Sequence, residues 1–272
     1  MVRFPNCKIN LGLHVTSKRE DGYHNIETIF YPIALKDVLE IISSNTLNFQ
    51  TTGLVINGRA TDNLCLKAYK LLELDFPQLK PVNIHLHKAI PMGAGLGGGS
   101  SNGAYMLRML NDKFDLHLSE DALINYALKL GSDCPFFILN KPCFATGRGE
   151  VLEPVDVDLS NHNLVLVNPG IHVSTADAFS TLTPQLPASS LKEVIRQPIS
   201  TWRSTLFNDF EDSIFKAHPA IKQIKGELYN LGAVYASMTG TGSTVYGLFD
   251  NGYEPHVSFP DNYTTINIKA TK

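Results

Sequence analysis

Hydrophobic and polar positions alternate cleanly near the start of the chain. Cys7, Ile9, Leu11, Leu13 and Val15 interleave with Lys8, Asn10, Gly12 and His14, a period of two that predicts a strand. Lys8 and Asn10 share its other face, roughly 7 Å apart by strand rise. A solvated outer face and a ligand-facing pair both fit them. Arg19-Glu20-Asp21-Gly22 then reads as a turn. It presents Tyr23 and His24, either as loop packing or as a stacking platform for a planar ring. Ile26 to Ile33, Val38 to Ile42 and Thr46 to Thr51 read as further strands. Asn63 to Asp75 has helical spacing through Leu64, Ala68, Leu71 and Leu72. Val82 to His87 alternates again and delivers Lys88. His85 and His87 share one face there, with no third metal ligand placed near them.

A second stretch of pattern follows the run Pro91-Met92-Gly93-Ala94-Gly95-Leu96-Gly97-Gly98-Gly99-Ser100-Ser101-Asn102. Ser101 to Asn111 predicts a helix, and Ser119 to Leu130 another. The latter has Ser119 as N-cap, Glu120 and Asp121 in its first turn and Gly131 just past its end. Pro135 biases Cys134 away from helix, which puts Asp133 in a short constrained loop, as a local cap or a functional acid. Asp156 to Ser160 is the expected lobe boundary, dividing residues 1–155 from 156–272. Beyond it come a strand at Asn163 to Val167, a turn at Asn168-Pro169-Gly170 and a helix capped by Ser174 or Thr175. A loop at Thr181 to Ser190 leads to a helical region holding Trp202, Phe207, Asn208 to Glu211 and Ile221 to Leu231. Two strands, Ala233 to Met238 and Thr244 to Phe249, flank a second glycine turn, Thr239-Gly240-Thr241-Gly242-Ser243. It reads as a hairpin-like turn or as a ligand-contacting loop.

The glycine run carries the chemistry. Its five glycines let the backbone approach a ligand closely, and it feeds a helix N-terminus whose N–H groups and dipole favour phosphate. It is not a Walker A loop, because no lysine precedes the hydroxyls. Gly93-x-Gly95-x-x-Gly98 matches the dinucleotide fingerprint literally. The second strand and ribose-binding acid of that fold do not follow, since a further helix comes next.

Composition narrows the partners. A net charge of −3 without a basic cluster argues against a nucleic-acid binder. The four cysteines, Cys7, Cys65, Cys134 and Cys143, form no CxxC pair and read as buried thiols of a reducing compartment. The first residues lack a signal-peptide pattern, and no apolar run reaches membrane-span length, so a cytoplasmic protein is expected. There is no internal repeat and no low-complexity tract.

Lys8 to Leu11, Asp21 to His24, Pro91 to Asn102, Gly131 to Phe136 and Thr239 to Gly242 occur in the order of one enzyme family. The chain resembles the superfamily of galacto-, homoserine, mevalonate and phosphomevalonate kinases. The Asp21-Gly22-Tyr23-His24 run, with three glycines before Ser100-Ser101, resembles the branch acting on a cytidine diphosphate ester of methylerythritol. That resemblance implies a two-lobed α+β fold with the active site in the cleft between an N-terminal ATP-binding lobe and a C-terminal substrate-side lobe. It implies ATP and Mg²⁺. Asp133 matches the general base and Lys8 its charged partner. Pro91, Met92, Gly93, Ala94, Gly95, Leu96, Gly97, Gly98, Gly99, Ser100 and Ser101 match the ATP phosphate loop, with Ser101 a metal contact. Tyr23 and His24 match the cytosine-binding pair, and Asn10, Lys88, Thr175 and Phe179 other substrate-side positions. Thr239, Gly240, Thr241 and Gly242 match the family's third glycine loop. The magnesium-binding glutamate of related kinases has no placed equivalent.

Overall fold

Residues 1–269 are described by the computed structural model. In chain order the strands are β1 (Val2–Arg3), β2 (Asn6–Lys18), β3 (His24–Lys36), β4 (Val38–Ser43), β5 (Asn48–Gly53) and β6 (Val82–Lys88). They continue with β7 (Cys143–Thr146), β8 (Val151–Pro154), β9 (His162–Asn168), β10 (Tyr235–Met238), β11 (Val245–Asp250) and β12 (Thr264–Ile268). The helices are α1 (Leu64–Asp75), α2 (Gly98–Lys113), α3 (Glu120–Leu130), α4 (Cys134–Leu139) and α5 (Thr175–Ser180). After them come α6 (Leu191–Val194), α7 (Ile199–Thr205), α8 (Glu211–Ala217) and α9 (Pro219–Asn230).

Two compact units share these elements, and they do not follow a single cut after Val155. The first comprises Met1–Lys8, Pro32–Met92 and Gly97–Lys141; the second comprises Ile9–Tyr31, Gly93–Leu96 and the chain from Pro142 onward. The pairing of Thr28 to Phe30 with Cys143 to Ala145 accounts for part of this division, because it ties an early strand to a late one.

In the first unit, a sheet of order β1-β4-β6-β5 is combined with α1 to α4. β6 pairs antiparallel with β4 and parallel with β5. Its alternation buries Val82, Ile84, Leu86 and Lys88 and leaves Asn83 and His87 exposed. His85 and His87 both meet the Thr52 hydroxyl at 3.0 Å. No cluster of three or more metal-ligating side chains occurs among the described residues. Helix α2 starts three residues before Ser101 and buries Ala104, Met106, Leu107, Met109 and Leu110.

The second unit holds the antiparallel sheet β10-β11-β9-β12 and the helices α5 to α9. Val165, Val167, Phe210, Ile221, Ile224, Leu228, Val245 and Phe249 are buried in its core. A further sheet has the order β2-β3-β7-β8.

Two sequence expectations need correction. The strand at Cys7 to Val15 has no solvated face: Lys8 is 3% and Asn10 2% exposed. Both side chains point into protein, so period two here separates apolar from polar burial. Cys134 is also helical, and Pro135 sits in the first turn of α4. A proline there lacks only an N–H that would have no helical partner, so helix formation outweighs the preference it imposes on Cys134.

All four cysteines are buried, and none forms a disulfide among the described residues. Burial pushes the thiols of Cys7, Cys65 and Cys134 up to about 12. Among the described residues no helix is long and apolar enough to cross a membrane.

Candidate active site

In the first unit the glycine run ends on a helix start. Gly97 occupies the N-cap of α2 at φ 68°, a left-handed conformation that glycine adopts without strain. No side chain caps α2, so its first N–H groups and the positive end of its dipole are offered to an anion. A Cβ at Gly97 would lie 3.2 Å from Lys8 Cε and 3.1 Å from the Phe137 ring. Strand β2 therefore delivers the lysine stem against the end of the loop. Lys8 Nζ stands 3.8 Å from Asp133 Oδ2, an ion-pair separation longer than a hydrogen bond. Asp133 holds the N-cap position of α4, yet its side chain makes no capping bond and is 32% exposed. The cap reading therefore does not account for the carboxylate.

Burial pushes the Lys8 ammonium below the ordinary lysine value of 10.5, and the nearby Asp133 charge opposes that push. Turnover is expected to fall as pH rises through a value below 10.5. Stability carries the opposite sign. The unfolded chain keeps this proton to higher pH than the folded one, so stability rises with pH over that window. Profiles of kcat and of Tm from neutral pH upward, against a Lys8→Met variant, check both signs. A wild-type Tm profile identical to that of Lys8→Met would remove Lys8 as the titrating group.

Ser101 lies in the first turn of α2, fully buried, and its Oγ has no hydrogen-bond partner among the described residues. Lys88 is 2% exposed. Its Nζ donates to Asp37 and, at 3.3 Å, to Asn102 Oδ1. The amine matched to the substrate side is thus engaged beneath the loop. Asp37 escaped the sequence reading, because a single acid between two strands carries no pattern.

The second unit holds the middle of the loop. Gly93 and Gly95 have φ of 61° and 76°. A Cβ at Gly95 would fall 2.0 Å from the Thr239 carbonyl oxygen, and the Thr239 hydroxyl lies 3.1 Å from Gly95 O. That hydroxyl also accepts from Asn10 N at 3.0 Å and approaches Asn10 Oδ1 at 3.1 Å. Asn10 Nδ2 donates to Thr28 Oγ1 at 2.9 Å. The Thr239 hydroxyl therefore links Gly95 of the first glycine loop to Asn10 on β2. Asn208, also missed from sequence, donates to Met238 O at 2.8 Å and Gly240 O at 2.9 Å. It fixes the Thr239–Gly242 turn from behind.

The aromatic positions gather in the same unit. His24 stacks on Phe179 with centroids 4.9 Å apart and planes 19° apart. Phe179 in turn meets Phe210 edge-on at 4.8 Å. Tyr23 is 57% exposed, with the Arg148 guanidinium 5.0 Å above its ring. Arg19 grips Asp21 through Nε and Nη2, holding that carboxyl below its usual range and stiffening the turn ahead of Tyr23. Thr175 Oγ1 lies 3.4 Å from Thr241 Oγ1.

Comparison with known proteins then decides the family. Residues 63–141 match the GHMP kinases N terminal domain, and residues 190–256 match the GHMP kinases C terminal domain. A 4-diphosphocytidyl-2-C-methyl-D-erythritol kinase of Bacteroides fragilis is 55% identical, over 92% of both chains. One of Bacteroides thetaiotaomicron is 50% identical, over 100% of this chain and 99% of that one. The chain belongs to the 4-diphosphocytidyl-2-C-methyl-D-erythritol kinase family. A solved 4-(cytidine 5'-diphospho)-2C-methyl-D-erythritol kinase, 32% identical, superposes with a TM-score of 0.76 over 91% of this chain and 90% of its own. The mevalonate kinase of Methanococcus jannaschii, at 14% identity and a TM-score of 0.63, shares the fold. As a member of this kinase family the chain is a small-molecule phosphotransferase with the α+β fold of the GHMP kinases.

Proposed function

We infer that this chain transfers the γ-phosphoryl group of ATP to the 2-hydroxyl of 4-diphosphocytidyl-2-C-methyl-D-erythritol, a step toward isoprenoid precursors. The identity of 55% over 92% of both chains with a kinase of that name carries the reading. The Lys8–Asp133 pair beside Gly97 supports it chemically.

Phosphoryl transfer depends mostly on positioning and on stabilising charge spread over the γ-phosphoryl oxygens. In this reading the loop from Pro91 to Ser101 holds the ATP phosphates through its N–H groups. Asp133 accepts the proton of the attacking hydroxyl, whose oxygen bonds to phosphorus as the bond to the ADP oxygen breaks. Lys8 places positive charge near the reacting oxygens. The unpartnered Ser101 hydroxyl would hold a Mg²⁺ ion, which would supply positive charge at the phosphates. Tyr23 and the His24–Phe179 stack offer ring faces to cytosine, and Thr175 and Thr241 offer hydroxyls nearby. Asn10 acts through Thr239, whose hydroxyl also reaches Gly95. The reaction belongs in the cytoplasm, where ATP is supplied and the buried thiols stay reduced.

The test is ADP release by the full-length protein with ATP and each of three acceptors: the cytidyl ester, mevalonate and homoserine. ADP formed only with the ester, with competition by cytidine nucleotides that His24→Ala weakens, is the expected result. Turnover of mevalonate or homoserine without turnover of the ester would overturn it.

A further inference from the structure

We propose that Asp37 is a positioning residue for nucleotide binding, fixing both stems of the Pro91–Ser101 loop through one buried carboxylate. The proposal rests on the reading of that loop as the ATP cradle.

Asp37 lies in the connection between β3 and β4 and is completely buried. Its Oδ1 accepts from Ala89 N at 2.8 Å and from Ile90 N at 2.9 Å, the two residues directly before Pro91. Its Oδ2 accepts from Asn102 Nδ2 at 2.9 Å and from Lys88 Nζ. Asn102 follows Ser101 directly, in the opening turns of α2. One oxygen thus holds the entry stem and the other the exit stem. The backbone joins this cluster to the residue directly before the strand of Lys8 as well, since Asp37 N donates to Pro5 O at 2.9 Å.

Charge explains why the residue is an aspartate. Lys88 Nζ lies beneath the start of α2, 3.0 Å from where a Cβ on Gly98 would be. A buried ammonium facing the positive end of a helix dipole is unfavourable unless an anion neutralises it. Asp37 supplies that anion and still accepts from three further donors, which a neutral side chain of the same size does not. The loop between the stems has three glycines in left-handed conformations, at 93, 95 and 97, and little stiffness of its own. The geometry of its stems then sets where its N–H groups point, and small displacements of such groups cost binding and rate.

Asp37→Asn separates the two stems. The amide oxygen still serves Ala89 and Ile90, while its NH₂ faces two other donors, Lys88 and Asn102. Asn102→Ala cuts the exit tie, with the weaker Lys88–Asn102 contact, and leaves the Asp37–Lys88 pair intact, so it decides the matter if Asp37→Asn does not fold. The readouts are Tm, affinity for a non-hydrolysable ATP analogue and affinity for cytidine diphosphate, all on the full chain. The expected result is ATP-analogue affinity weakened by at least about tenfold in a folded variant. Cytidine diphosphate affinity stays unchanged, and the KM for ATP rises more than kcat falls. Folded variants that bind the ATP analogue like wild type would overturn the proposal. Equal losses for both ligands that track a fall in Tm would overturn it too, leaving only a structural role. A wild-type protein that does not bind the ATP analogue would instead strike at the loop reading beneath it.

Discussion

Asp133→Asn is expected to give a folded protein that still binds ATP but turns over about 10²–10⁴-fold more slowly, the usual scale for losing a general base. The fold tolerates the change because the carboxylate performs no capping: α4 forms with Asp133 at its N-cap position and no side-chain hydrogen bond there. What the variant does lose is the counter-charge of a buried lysine, so a modest drop in Tm accompanies the loss of rate. The double variant Lys8→Met/Asp133→Asn separates chemistry from packing. If the two groups act as a unit, the double variant loses scarcely more rate than Asp133→Asn alone. Single-turnover phosphorylation and ATP-analogue binding, measured on the same preparations, provide the check. Wild-type turnover in Asp133→Asn would make the carboxylate structural.

The second large effect is expected at Gly95. Gly95→Ala demands a side chain at φ 76°, which costs an ordinary residue about 1–2 kcal/mol. It also places a Cβ 2.0 Å from the Thr239 carbonyl oxygen, which belongs to backbone and has no rotamer to yield. The two glycine loops have to part, and the Thr239 hydroxyl contact to Gly95 O goes with them. Both Tm and ATP affinity fall. Gly99→Ala is the informative contrast. A Cβ there meets nothing within 4 Å, and the position lies inside α2, where alanine outranks glycine by about 1 kcal/mol. Its Tm holds or rises. If the open space above Gly99 is phosphate space, ATP affinity still drops, so calorimetric binding beside melting curves distinguishes strain from occupancy. Unchanged Tm and unchanged ATP affinity in Gly95→Ala would show that the loop relaxes around the added methyl.

Much of the fold was legible wherever periodicity ran long enough. Alternation along Cys7 to Val15 and Val82 to His87 located β2 and β6, and Ser119 with Gly131 located both ends of α3. The same alternation puts Lys88 with buried Val82, Ile84 and Leu86, a placement that its match to a substrate-side position did not anticipate. Short elements were not legible. β7 and β8 have four residues each, too few for a period to emerge; they pair with each other, and β7 also pairs with β3, far earlier in the chain. α4 was hidden because one rule about the residue before proline was weighed without the first-turn exception. In the candidate site, the glycine run announced itself by composition. Asp37 and Asn208 are single polar residues whose significance lies wholly in which distant N–H or carbonyl groups they reach. No local pattern encodes such partners.

The interleaving of the two units bears on how the protein is made. Everything belonging to the first unit has left the ribosome once Lys141 emerges, whereas Ile9–Tyr31 are made early and belong with a segment that begins at Pro142. At ordinary translation rates that wait lasts roughly 5–20 s. Throughout it, a nascent strand carrying Ile9, Leu11, Leu13 and Val15, all destined for burial, has its sheet neighbour β3 but not the later residues of its unit. Chaperone capture of this chain should therefore concentrate on its earliest residues.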